Sequence, residues 1–164
     1  MFQKRGKMAS SLIHLAITNE FANKIKVKDI KRLRMGSMLP DNVGPKGHLK
    51  ISICGNHKKT YNLEYFRKKF VELIKEDDLY LGYYLHLVQD ILYRRYVYTE
   101  HNWNSLIPGN VERLHRDYEI CNSYVIEKYE LTKEMIESFS IDGQAIRSLA
   151  EFNIEEFAAK VRDY

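Results

Sequence analysis

Residues 79–90 read "LYLGYYLHLVQD". As a helix this stretch is apolar almost all round, which places it at the centre of a helical protein with cover on most sides. His86 and Asp90 interrupt it four residues apart, one helical turn, on a single face. A buried carboxylate is costly unless it is paired or bound to a metal. The spacing lets both side chains reach one cation. It also suits a histidine hydrogen-bonded to an aspartate within a tight helix, and Arg94, one turn further on, is a rival partner for Asp90.

The flanks keep the helical period. A first helix is expected from Ser10 or Ser11, good capping residues, to about Val27, with His14, Ile17, Phe21 and Ile25 pointing inward. "DIKRLRMGSM" makes a short second helix that stops at Pro40. Residues 40–61 are rich in glycine and proline and read as a loop, in which "HLKISI" suits a brief extended piece. Asn62 caps a helix carrying Leu63, Phe66, Phe70 and Leu73. Asp78 caps the central helix, about 79–98. "TEHNWNSLIPGN" is a loop. Asn110 caps a long helix, about 111–130, with Leu114, Tyr118, Cys121 and Val125 along one stripe. Short helices are expected over 131–164, one of them starting at Asn153 with Glu156 completing a capping box. Strand signals are few, so the expected fold is a single all-α domain, a helical bundle over 1–164.

The 164 residues are enough to bury a core without staples. Two cysteines make no disulfide framework, so a reducing compartment, the cytoplasm, is expected. The apolar part of the N-terminal stretch is broken by His14, Thr18, Asn19 and Glu20, which argues against a secretory signal. No window reaches the run of about 18 apolar residues that a membrane span needs. Charge is uneven: residues 1–69 hold 16 Lys/Arg against 4 Asp/Glu, and residues 70–164 hold 10 against 18. A basic half attracts anionic partners such as a phosphate ester, a nucleic acid or a membrane surface, although "KDIKRLR" and "FRKKF" also read as plain solvated helix faces.

In "RLHRDYE", His115 and Glu119 repeat the four-residue spacing on a second long helix, sharing a face with Tyr118, Asn122 and Val125. An exposed pair explains this spacing too, but a bundle aims facing side chains into one interior site. His14 lies on an apolar stripe, where a satisfied core histidine is the ordinary occupant. Asp41, in "GSMLPDNVG", reads as a turn aspartate. His48 and His57 share the long loop, and long loops in compact domains are often functional.

The order His14, Asp41, a loop histidine, "GYYLHLVQD", His101 and "HRDYE" resembles the zinc-dependent phospholipase C family and the related zinc-dependent single-strand nucleases. The resemblance covers about residues 8–130. Its most specific match is "LGYYLHLVQD", similar to the Gly-x-x-x-His-x-x-x-Asp helix of small bacterial members; "SSLIHLAI", "LPD" and "NLEYFRKKF" follow the family order. It implies an all-helical bundle around a polynuclear zinc site. His86 and Asp90 would bind one metal with Asp41 and a loop histidine, preferably His48. His115, Glu119 and His101 would bind a second zinc, and Asp90 would bridge to a third held by His14. A zinc-activated water would attack a phosphodiester, with Asp41 orienting the water or accepting its proton. The chain departs from the pattern at three points. Met1 lies well before the segment whose amine holds the third metal in secreted members. His101 lies farther beyond the central helix than in those enzymes. Glu119 stands where many small relatives carry aspartate, which makes Asp117 a rival.

Three functions compete on this reading. The first is a zinc-dependent phosphoric ester hydrolase acting on a small-molecule or lipid phosphodiester. The second is a catalytically degenerate metal-binding domain used as a binding module. The third is a basic helical nucleic-acid-binding domain.

Overall fold

The structure is a computed structural model and describes residues 8–42, 48–53, 56–61, 63–137 and 149. In chain order these form α1 (Met8–Ala22), α2 (Ile30–Asn42), β1 (His48–Ile53), β2 (Asn56–Tyr61), α3 (Leu63–Glu76), α4 (Asp78–Arg95), a π-helical turn (Tyr96–Glu100), α5 (Asn110–Lys128) and α6 (Lys133–Glu137). The architecture is a helical bundle, as the periodicity implies. Its one departure among the described residues is an antiparallel hairpin, in which His48 pairs with Tyr61 and Ser52 with His57. Leu49, Ile51 and Ile53 alternate with polar residues, the period-2 pattern of a strand, and only two residues separate β1 from β2, a hairpin length.

The central helix lies where its composition demands. Leu79, Tyr80, Tyr83 and Leu87 of α4 pack with Met35 and Leu39 of α2, Phe66 and Phe70 of α3, and Leu149. A second cluster joins Leu12, Leu15 and Ala16 of α1, Met38 of α2, Val125 of α5 and Leu131. Thus α2 serves both clusters, and its contact with α4 is unusually close. A Cβ on Gly36 would fall 2.0 Å from the Leu79 carbonyl oxygen, and one on Gly82 would fall 2.1 Å from that of Leu33. Two glycines, one on each helix, therefore let the backbones touch.

Several boundaries differ from expectation. Ile17 and Phe21 are exposed, and the inward face of α1 is Leu12, His14, Leu15, Ala16 and Thr18. Helix α1 ends at Ala22, and the chain turns so that the backbone amides of Lys28 and Asp29 donate to the buried Asp78 carboxylate, the former at 2.6 Å. Asp77 is the cap of α4, accepting from the Leu79 amide at 3.0 Å. Helix α2 runs through Pro40 to Asn42. A proline there forfeits one hydrogen bond near the helix end, while packing on α4 holds the turn. Helix α4 continues beyond Arg95 as the π turn. Gly109, at φ 82°, caps α5; glycine takes this left-handed conformation without steric penalty. The Asn153 capping box lies outside the described residues. Among those residues no helix is long and apolar enough to cross a membrane.

Asp77 also accepts a two-pronged ion pair from Arg32 of α2, at 2.7 and 2.6 Å. Burial pushes its carboxyl up, but the hydrogen bonds from Arg32 and Leu79 outweigh this and leave it below the usual value of 3.8. A depressed carboxyl stabilises the fold above its unfolded pKa and loses that contribution as pH falls through the folded one. Asp77→Asn keeps an oxygen to cap α4 but removes the charge that pairs with Arg32, and is therefore expected to lower stability by about 0.5–1 kcal/mol at pH 7. The difference from wild type should vanish in denaturant titrations run well below pH 3.8. An undiminished difference there would assign the loss to packing instead.

Candidate metal centre

Three helices bring His14, Asp41, His86 and Asp90 together. The α2–α4 glycine crossing sets Ser37 and Asp41, on the last turns of α2, against His86 on α4. Helix α1 packs across both and delivers His14, whose ring stacks on that of His86 with centroids 3.7 Å apart. The Nε2 atom of His86 is 3.8 Å from Asp41 Oδ1 and 3.5 Å from Asp90 Oδ2. That of His14 is 3.2 Å from Asp90 Oδ1. Asp90 thus offers one oxygen to each histidine. His14, Asp41 and His86 each present a ligand atom within 4.8 Å of the others.

A second layer of contacts orients these groups. His86 Nδ1 lies 2.6 Å from the Ser37 carbonyl oxygen, which can only accept, so Nδ1 carries the proton. His14 Nδ1 faces the Gln89 amide oxygen at 2.8 Å, and the Gln89 amide nitrogen donates to Thr18 Oγ1 at 3.2 Å. This amide orientation makes His14 Nδ1 a donor as well. Ser11 Oγ donates to Asp41 Oδ2 at 3.0 Å. Histidine metal ligands are oriented in this way, one ring nitrogen tied to an acceptor and the other turned to the ion.

The electrostatics of the cluster bear on what it could hold. His86 is wholly buried, and burial lowers its pKa despite the opposing pull of Asp90 and Asp41. Burial works to raise the Asp90 carboxyl, but hydrogen bonds from His14 and His86 and their charges hold it far below the usual carboxylate range. A neutral His86 with its proton on Nδ1 turns a lone pair towards two carboxylates. A cation held there would meet a ligand atom from each of these groups. The donor set, two imidazoles and two carboxylates without thiolate, fits zinc.

Other predicted residues stand elsewhere. His115 and Glu119 are exposed on α5, and the described residues hold no second group of three ligand-type side chains. His101 is exposed after the π turn, its ring edge-on to Tyr96 at 4.3 Å. The side chains of His48 and His57 lie outside the described residues, so the loop ligand is not among the contacts above. The structure adds Ser11, Ser37 and Gln89. Of these only Gln89 left a signal in the sequence, a polar residue in an apolar helix; the Ser37 contact is made by its backbone and has none.

An open cleft of about 60 Å³ reaches the cluster at His14, Gln89 and Asp90, with Ile13, Ile17, Tyr93 and Tyr118 as its other walls. Compared with protein-family models, curated proteins and solved structures, the chain gives no match.

Proposed function

We propose that the protein is a zinc-dependent phosphoric ester hydrolase of the phospholipase C-like kind, acting on a phosphodiester. The observation that supports this best is the cluster itself: two histidines with their Nδ1 atoms tied back, turning Nε2 atoms onto Asp41 and Asp90 beside an open cleft. His14, Asp41, His86 and Asp90 would hold the metal. Bound there, zinc would supply Lewis-acid polarisation of the ester and activation of water at neutral pH. Asp41 accepts from Ser11 on Oδ2, and its Oδ1 lies on the cluster side, 3.8 Å from His86 Nε2, where it would orient a water or take its proton. Gln89 and Ser37 hold the two imidazoles in the tautomer that binds metal. The substrate would enter by the cleft, since His86 and Asp41 are closed to solvent. The expected compartment is the cytoplasm, on cysteine usage alone.

The exposure of His115, Glu119 and His101 favours a second reading, a one-metal binding domain without turnover. Hydrolysis of bis(4-nitrophenyl) phosphate by the zinc-loaded protein separates the two. The expected result is zinc-dependent release of nitrophenol that drops to background in Asp90→Ala and survives in His115→Ala. Zinc binding without any turnover selects the binding domain. A chain that takes up no transition metal leaves neither reading standing.

A further inference from the structure

Among the described residues, Tyr93 and Tyr118 are the hydroxyl-bearing side chains on the cleft, and they touch. Tyr118 Oη donates to Tyr93 Oη at 2.9 Å, with the rings 6.3 Å apart and tilted by 45°. Tyr93 lies three residues after Asp90 on α4, so it shares that face of the helix one turn outward. Tyr118 arrives from α5. Its hydroxyl is close enough to Asp90 to feel that charge, and burial together with the bond to Tyr93 pushes it above the ordinary tyrosine range. A phenol has one proton to give. When Tyr118 gives its proton to Tyr93, the donor left over is the Tyr93 O–H, strengthened because its oxygen is already accepting a hydrogen bond. The remaining walls offer little to an anion: Ile13 and Ile17 are apolar, and the Gln89 amide is engaged by His14 and Thr18.

We propose that the Tyr93–Tyr118 phenol pair recognises the phosphoryl group: Tyr93 donates to a non-bridging oxygen of a phosphate ester held against the metal cluster, and Tyr118 positions Tyr93. This rests on the metal-phosphoester reading and adds to it the residues that grip the substrate. Neither tyrosine belongs to the ligand set. Tyr93 is 38% exposed, so replacing it with phenylalanine removes only an oxygen at the surface.

The test uses the zinc-loaded full chain and inorganic phosphate, followed by calorimetry, with zinc stoichiometry measured on every sample. Tyr93→Phe should weaken phosphate binding roughly 10-fold, the loss expected for one hydrogen bond to a charged group. Tyr118→Phe should weaken it less, by about 3-fold, because it acts through Tyr93. The double variant should bind as weakly as Tyr93→Phe alone, a non-additivity that a general packing defect does not produce. Zinc content should stay at the wild-type value throughout. Equal phosphate affinity in all four zinc-loaded proteins overturns the tyrosine proposal and leaves the metal reading intact. So does a zinc-loaded wild type that binds no phosphate. A wild type that takes up no zinc overturns the metal reading and this proposal with it.

Discussion

Zinc added to chelator-treated protein at pH 7 is expected to raise its melting temperature by about 10 °C, and His86→Ala to abolish that rise. Ligand held at 1,000 times its dissociation constant stabilises a fold by about 4 kcal/mol, and each kcal/mol moves a domain of this size by about 2–4 °C. His86 carries the effect because its Nε2 faces both Asp41 and Asp90. His57→Ala serves as a comparison, since the resemblance sets His57 in an insertion; loss of the rise there, with His48→Ala unaffected, would reverse the loop assignment. The effect should also depend on pH in a definite direction. Metal binds the deprotonated imidazole, so the rise should shrink from pH 7 towards about pH 5 as protons compete for the ring nitrogens; burial lowers the His86 pKa and so moves its share of that loss to the acid side of 6.5. Asp90 does not blur this window. Its depressed carboxyl contributes stability above the usual value of 3.8 and loses it only at lower pH. Equal melting temperatures with and without zinc at pH 7 would show the cluster to be an ordinary hydrogen-bonded network.

Gly82→Ala is expected to destabilise the fold by about 3 kcal/mol or more, at the upper end for overpacked cores. The added methyl would lie 2.1 Å from the Leu33 carbonyl oxygen and 2.9 Å from the Ser37 amide nitrogen, both backbone atoms that no rotamer change can move. Relief requires α2 to shift away from α4. The same shift carries Ser37 and Asp41 away from His86, so zinc affinity should fall along with the denaturation midpoint. Gly36→Ala meets the Leu79 carbonyl oxygen at 2.0 Å and should behave alike. Gly109→Ala is the contrasting case. Nothing lies within 4 Å of its would-be Cβ, and only its φ of 82° is unfavourable, a strain of about 1–2 kcal/mol with no effect on metal. A Gly82→Ala protein with wild-type midpoint and wild-type zinc affinity would show that the helix crossing does not set the site.

How far the site was legible varied by residue. His86 and Asp90 could be read because they share one helix, where spacing alone sets a common face. Asp41 and His14 could be placed only through the resemblance, since each lies on a different helix. For His115 and Glu119 the same spacing rule applied, yet both are exposed. Four-residue spacing establishes a shared face but not which way the face turns, and α5 turns towards α1 through Val125. Ile17 and Phe21 fail for the same reason on α1. The hairpin was half visible in the alternation of "HLKISI", whereas the pairing of "NHKKTY" with it carries no hydrophobic signal of its own.

What the sequence by itself determined is the helical class, the burial of residues 79–87, and the pairing of His86 with Asp90. These are local matters, settled by period and composition within one segment. What only the tertiary structure decided is which distant groups meet that pair. A helix prefers almost any other residue to glycine, so Gly36 and Gly82 stand out in a linear reading, and Gly82 also falls in the Gly-x-x-x-His-x-x-x-Asp match, but neither fact says what the glycines serve. Their meaning comes from a backbone approaching from elsewhere in the chain. That approach sets Ser37 and Asp41 against His86, lets α1 bring His14 onto the same spot, and leaves the Tyr93–Tyr118 contact beside it. Contacts between helices depend on the rotation and separation of each, and neither is written in the spacing of either one.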